Sequence, residues 1–144
     1  QLEVRLRKVK LEEDEQVYYS AIIRQPEDIY KTFKRLFEDS PVELFVVIHL
    51  KSNNRVTAFE IVSKGTLNAS LVHPREVFKS AIIQNAASIV IAHNHPSGNL
   101  EPSQEDLAIT KQIVEAGKIL GIPVFDHVIF SSEGFCSFAE RSLI

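Results

Sequence analysis

Two imidazoles, a hydroxyl and a carboxylate fall within the fourteen residues from His93 to Asp106, in the pattern His-x-His, seven residues, Ser-x-x-Asp. Residues i and i+2 of an extended chain point to one side, so His93 and His95 can converge on one point. Pro96 biases His95 toward extended backbone, which favours that geometry. Asp106 falls in the first turn of the helix expected next and can supply a third ligand. Two neutral imidazole nitrogens and a carboxylate oxygen suit Zn²⁺, and three protein ligands leave a fourth position for water. Such a site lowers the pKa of the water to about 7 and polarises a carbonyl for attack. The chemistry is hydrolysis.

Hydrolysis of an amide also needs a base that takes the water's proton and returns it to the leaving amine. Glu101 and Glu105 are near in sequence, but Glu105 adjoins Asp106 and points elsewhere on the helix. Glu43 stands at the edge of an apolar run fifty residues before His93, and sheet pairing can bring it to the water. Ser103, one helical turn before Asp106, can hydrogen-bond the oxyanion of a tetrahedral intermediate. Each reading has a plainer competitor. Ser103 with an acid three residues later also fits a helix capping box, and capping and catalysis can coexist there. A lone His-x-His before Pro-Ser-Gly is often an exposed turn, and only Asp106 at the matching distance makes it a metal site. An acid at a strand edge is usually solvated.

The elements that must position these groups can be read from periodicity. Pro26 opens a helix over 26–39, with Ile29, Phe33, Leu36 and Phe37 at helical spacing, and Ser40-Pro41 ends it. Leu44 to Leu50 is too uniformly apolar for an exposed strand and predicts a central one. Ser52-Asn53-Asn54 is turn chemistry, and Val56 to Val62 is the returning strand of a hairpin. Pro74 begins a second helix with Val77, Phe78, Ala81 and Ile82 inward. Ser88 to Ala92 is a buried strand that delivers the His pair at its carboxyl end, where open α/β sheets gather ligands. Residues 103–120 form the third helix, with Leu107, Ile109, Ile113, Val114, Ile119 and Leu120 as inward candidates and Gly121 as C-cap. Further strands are expected at 124–130 and near 135–138. At the other end, Leu2, Val4 and Leu6 alternate with Glu3, Arg5 and Arg7 as in a half-buried strand, and 11–15 reads as a solvated acidic loop. The order gives an α/β or α+β sandwich with a mixed sheet.

The remaining bounds are ordinary. At 144 residues, 44% apolar and 24% charged, the chain reads as one globular domain over 1–144. A net charge of −3 carries no nucleic-acid footprint in bulk, which leaves only the local basic patch Arg5 to Lys10. No apolar run approaches the roughly 18 residues of a membrane span, and no signal peptide is evident. The single Cys136 excludes an internal disulfide, reads as a small buried hydrophobe and fits a reducing, cytoplasmic setting. The start at Gln1 and the lack of Met suggest a fragment of a longer protein. His49 and His127 lie in apolar strands and are expected as hydrogen-bonded core or supporting residues rather than ligands. His73, before Pro74, is expected to serve local structure.

Glu43, His93-x-His95 and Ser103-x-x-Asp106 together resemble the JAMM (MPN-type) metalloprotease signature. The wider runs Gly65-Thr66-Leu67-Asn68, His73-Pro74-Arg75-Glu76, His93 to Gly98 with Glu101-Pro102-Ser103, Asp126 to Ile129 and Ser137 to Glu140 resemble the bacterial RadC family. The resemblance implies an α/β three-layer sandwich with a mixed β-sheet, similar to that of cytidine deaminases. It implies Zn²⁺ on His93, His95 and Asp106, Glu43 as general base and Ser103 as helper of the transition state. It also implies an N-terminal helical region with a helix-hairpin-helix motif, absent from this chain. Asn94 departs from the Ser or Thr usual in eukaryotic JAMM enzymes; ligation should not change, but substrate contacts stay open. The expected function is a zinc-dependent metallopeptidase or isopeptidase acting on a peptide or protein substrate, with no membrane partner. Two alternatives stand beside it. One is a DNA-associated accessory module, suggested by the family's DNA-repair name and the basic first strand, with DNA reached through the absent region and the metal structural or inactive. The other is a two-His-one-carboxylate iron site.

Overall fold

The computed structural model describes Tyr18, residues 21–65 and residues 72–144. The basic alternating stretch at 2–10, the acidic run at 11–15 and Thr66-Leu67-Asn68 lie outside the described residues. The elements are α1 (Pro26–Glu38), β1 (Leu44–Leu50), β2 (Val56–Lys64), α2 (Pro74–Ile83), β3 (Ser88–Asn94), α3 (Gln104–Leu120), β4 (Val124–Ser131) and β5 (Gly134–Ser137). The strands form one sheet in the order β2-β1-β3-β4-β5. Only the β3–β4 pair is parallel; the other three are antiparallel. The sheet is therefore mixed.

Burial on both faces explains why β1 is apolar throughout. Alternate residues point to opposite sides, so β1 feeds two cores. Val46 and Ile48 pack with Val90, Ala92, Val128 and Phe130 beneath Ile29, Phe33 and Phe37 of α1. Phe45 and Val47, with Ile89 and Ile91, meet Val77, Phe78 and Ala81 of α2 and Ile109 and Ile113 of α3. The expected α/β three-layer sandwich is what forms. Each such side chain contributes roughly 1.5–3 kcal/mol when fully buried. No helix among the described residues is long and apolar enough to cross a membrane.

Three inward assignments fail. Ile82 is 52% exposed, Ile119 87% and Leu120 46%. At about 100° per residue, Ile82 and Ile119 lie roughly a third of a turn off the stripes their helices bury, and Leu120 ends its helix. The buried stripe of α3 is Asp106, Ile109, Thr110, Ile113 and Gly117, two of them polar. Gly117 is required by close approach, since a Cβ there would stand 2.5 Å from the Ile122 carbonyl oxygen. Gly121 caps α3 at φ 72°, as expected. β3 runs two residues beyond the sequence reading, because Phe45 and Ile129 still flank His93 on either side. His93 is thus held within the sheet.

Candidate metal centre

The antiparallel register of β1 and β3 pairs Phe45 with His93. Phe45 and His93 lie on the face that carries α3, whose first turn holds Asp106. Glu43 stands just before β1, near enough to His95 for its charge to act on that imidazole. His93 Nε2 is 3.2 Å from Asp106 Oδ1, His95 Nε2 is 3.2 Å from Oδ2, and the two Nε2 atoms are 3.0 Å apart. These three residues can hold a metal ion, each offering one donor atom within 4.8 Å of the others.

The surrounding hydrogen bonds fix which nitrogens carry protons. Thr110 donates its hydroxyl hydrogen to the Asp106 carbonyl oxygen at 2.7 Å. Its oxygen therefore accepts from His127 Nδ1, 2.5 Å away. A neutral His127 so protonated presents a lone pair at Nε2, which accepts from His93 Nδ1 at 2.8 Å. His93 Nε2 is left as a lone pair. His95 Nδ1 faces the Asn99 carbonyl oxygen at 2.6 Å, an acceptor only, so neutral His95 also turns a bare Nε2 inward. With both imidazoles neutral, two lone pairs and an anionic carboxylate crowd one point, and either a proton or a metal cation must lie between them. Four-coordinate zinc with bonds of about 2.0–2.1 Å has donor–donor edges of roughly 3.3 Å, close to the observed spacings. The donor set fits the ion.

The electrostatics agree. Burial pushes the Asp106 carboxyl up, but contacts with His93 and His95, the His93 charge and the Ser103 N–H outweigh it and hold the group well below the usual carboxylate range. The Asp106 hydrogen bond raises the His95 pKa against the opposing effect of burial, with smaller help from the Asn99 carbonyl and the Asp106 and Glu43 charges. Without a metal the site draws a proton to His95. Burial, then the His93 charge, keeps His127 well below the ordinary imidazole value and hence neutral. Phe45 stacks on His93 and Phe138 on His127, which keeps the relay dry.

Ser103 is the N-cap of α3: its Oγ accepts from Asp106 N–H at 3.0 Å, and its own N–H donates to Asp106 Oδ2 at 2.8 Å. The capping box is real and it orients the acid. Glu43, partly buried, is held through its backbone, with its carbonyl accepting from Gly65 N–H at 2.8 Å. Asn94 grips both its neighbours, accepting from Leu44 N–H at 2.7 Å and donating to the Val42 carbonyl at 3.1 Å. That function of the residue between the histidines was not legible in sequence, nor was Thr110. Thr110 sits four residues after Asp106, on the same helix face, which is the only signal it gave. His127 supports the cluster as a hydrogen-bonded strand residue. Asp126 accepts from Ser137 Oγ at 2.6 Å, Ala139 N–H at 2.9 Å and His127 N–H at 2.7 Å, so these motif residues brace β4 and the chain after β5. His73 accepts from Arg75 N–H at 3.0 Å as the cap of α2, and His49 bonds Ser80 at 2.9 Å in the core. Neither belongs to the cluster's donor set.

Comparison with known proteins agrees with this geometry. A family model described as the RadC-like JAB domain matches residues 23–143. A UPF0758 protein of Methanosarcina mazei is 41% identical over 122 residues, 85% of this chain and 53% of that protein. One from Desulforamulus reducens is 47% identical over 123 residues, 85% and 54% of the two chains. One from Symbiobacterium thermophilum is 52% identical over 103 residues, 72% and 44%. The chain spans about half the length of the curated relatives it matches. With the match running through every element that carries the cluster, the chain belongs to the RadC-like JAB domain family and has its JAMM-like metal-hydrolase fold.

Proposed function

We propose that this chain is a zinc-dependent amide hydrolase acting on a peptide or protein substrate. The observation that carries the reading is the convergence of two bare Nε2 atoms and one ionised carboxylate, their protons directed outward by the Thr110–His127–His93 relay and the Asn99 carbonyl. Neutral imidazoles and a carboxylate are zinc donors. A bound zinc would acidify a water and polarise the scissile carbonyl.

The chain's residues supply the rest. Glu43, whose charge acts on His95, takes the proton of the attacking water and hands it to the leaving amine. Ser103 spends its Oγ lone pair and its N–H on the capping box. Its hydroxyl hydrogen remains to donate to the substrate oxygen as charge develops there. Asp106, His93 and His95 hold the ion.

The test is a pair of measurements on protein purified without chelator. Zinc content should be about one per chain, as a three-ligand site requires, and should fall on His93→Ala or Asp106→Ala. Glu43→Gln should keep its zinc and lose hydrolysis of a mixed peptide pool. Undiminished turnover in that variant would remove Glu43 from the mechanism.

A further inference from the structure

A cleft of about 370 Å³ opens at the carboxyl ends of β3 and β4, on the α1 side, and His95 is one of its walls. Tyr30, Phe37 and Phe130 give it an aromatic floor, and Pro41 and Pro96 flank it. Its size falls within the roughly 300–1,000 Å³ of small-ligand pockets. The charged groups at its rim, Lys34 and Glu38, face each other, with Lys34 Nζ 3.7 Å from Glu38 Oε1 and 5.6 Å from the Tyr30 ring centroid.

The cleft is built from the same two segments as the candidate catalytic cluster. The wall at Pro41 leads in two residues to Glu43, and Asn94 both lines the cleft and grips Val42 and Leu44. His95 belongs both to the cleft wall and to the donor cluster, so a substrate carbonyl held at the cluster has the cleft beside it. We infer that this cleft is a specificity subsite that receives a large apolar side chain, leucine- to phenylalanine-sized, next to the scissile amide. The substrates are then peptides or proteins cut beside such a residue. The inference rests on the hydrolase reading above.

Amino-acid hydroxamates test it, because the hydroxamate group anchors each probe on zinc while its side chain samples the cleft. Binding to the zinc-loaded protein is measured by calorimetry for acetohydroxamate and for the hydroxamates of N-acetyl-leucine, N-acetyl-phenylalanine and N-acetyl-aspartate. The leucyl and phenylalanyl probes should bind about tenfold or more tighter than acetohydroxamate, as expected for burial of one such side chain, and the aspartyl probe should gain nothing. Tyr30→Ala should erase most of the gain. Should that variant not fold, Ser132→Phe on the exposed rim should occlude the cleft and do the same. Equal affinity across the series, a matching gain for the aspartyl probe, or a gain that survives these substitutions overturns the subsite. If not even acetohydroxamate binds the zinc-loaded protein, the hydrolase reading itself falls and takes the subsite with it.

Discussion

Thr110→Val is the most searching perturbation of the relay behind the cluster. Valine keeps the shape of threonine and removes one hydroxyl. That hydroxyl accepts from His127 Nδ1 at 2.5 Å and donates to the Asp106 carbonyl at 2.7 Å, and Thr110 and His127 are both buried. The variant then has two options. His127 can keep its proton on Nδ1, unpaired in a dry site, at a cost of about 1–3 kcal/mol. Or it can shift the proton to Nε2, where it faces His93 Nδ1 across 2.8 Å and forces the His93 proton onto the nitrogen that should bind the ion. Zinc binding requires the first option. Its affinity should fall by the corresponding factor, about 10- to 100-fold, a range typical of lost hydrogen bonds behind metal ligands. Competition with a chromophoric chelator measures it, and Thr110→Ser should restore most of the loss. If Thr110→Val binds zinc within twofold of the unaltered protein, the reasoning from fixed tautomers is wrong.

Asn94 and His49 give two further predictions. Asn94→Ala strips partners from the Leu44 N–H and the Val42 carbonyl; it should lower stability by about 1–3 kcal/mol in urea unfolding and reduce kcat while zinc content holds, because the segment carrying Glu43 loosens but no ligand is lost. Acid should also destabilise the fold through His49, whose burial lowers its pKa to about 4 against about 6.5 when unfolded. The folded state binds fewer protons over that interval, so this contribution is whole above about pH 6.5 and is lost as pH falls toward 4, by about 3 kcal/mol in all. Urea unfolding at pH 7 and pH 4.5 measures it, and a stability independent of pH over that range would count against a neutral buried His49.

The strand and helix pattern was legible because burial enforces it. An unbroken apolar β1 must be central, and Pro26, Pro74 and Gly121 mark helix ends by their backbone geometry. The convergence of His93, His95 and Asp106 was legible because the three are close in sequence and tied to one strand end and one helix start. Glu43 was reached through family likeness more than through physics, since pairing across fifty residues has no local signal. What escaped was the support behind the ligands. Thr110 and Asn94 act by hydrogen bonds to groups 17 and about 50 positions away, and neither residue type is unusual where it stands. Ile82 and Ile119 differ from expectation because apolar character alone does not dictate burial, and exposed apolar residues are common.

The most direct test of the account is zinc K-edge X-ray absorption on protein purified without chelator. The expected spectrum has two imidazole nitrogens and light oxygen donors at about 2.0–2.2 Å, with imidazole scattering reduced in His93→Ala and in His95→Ala. A protein that takes up no zinc when the metal is supplied, or one whose metal environment is unchanged in both variants, would contradict the claim that these imidazoles and Asp106 share one ion.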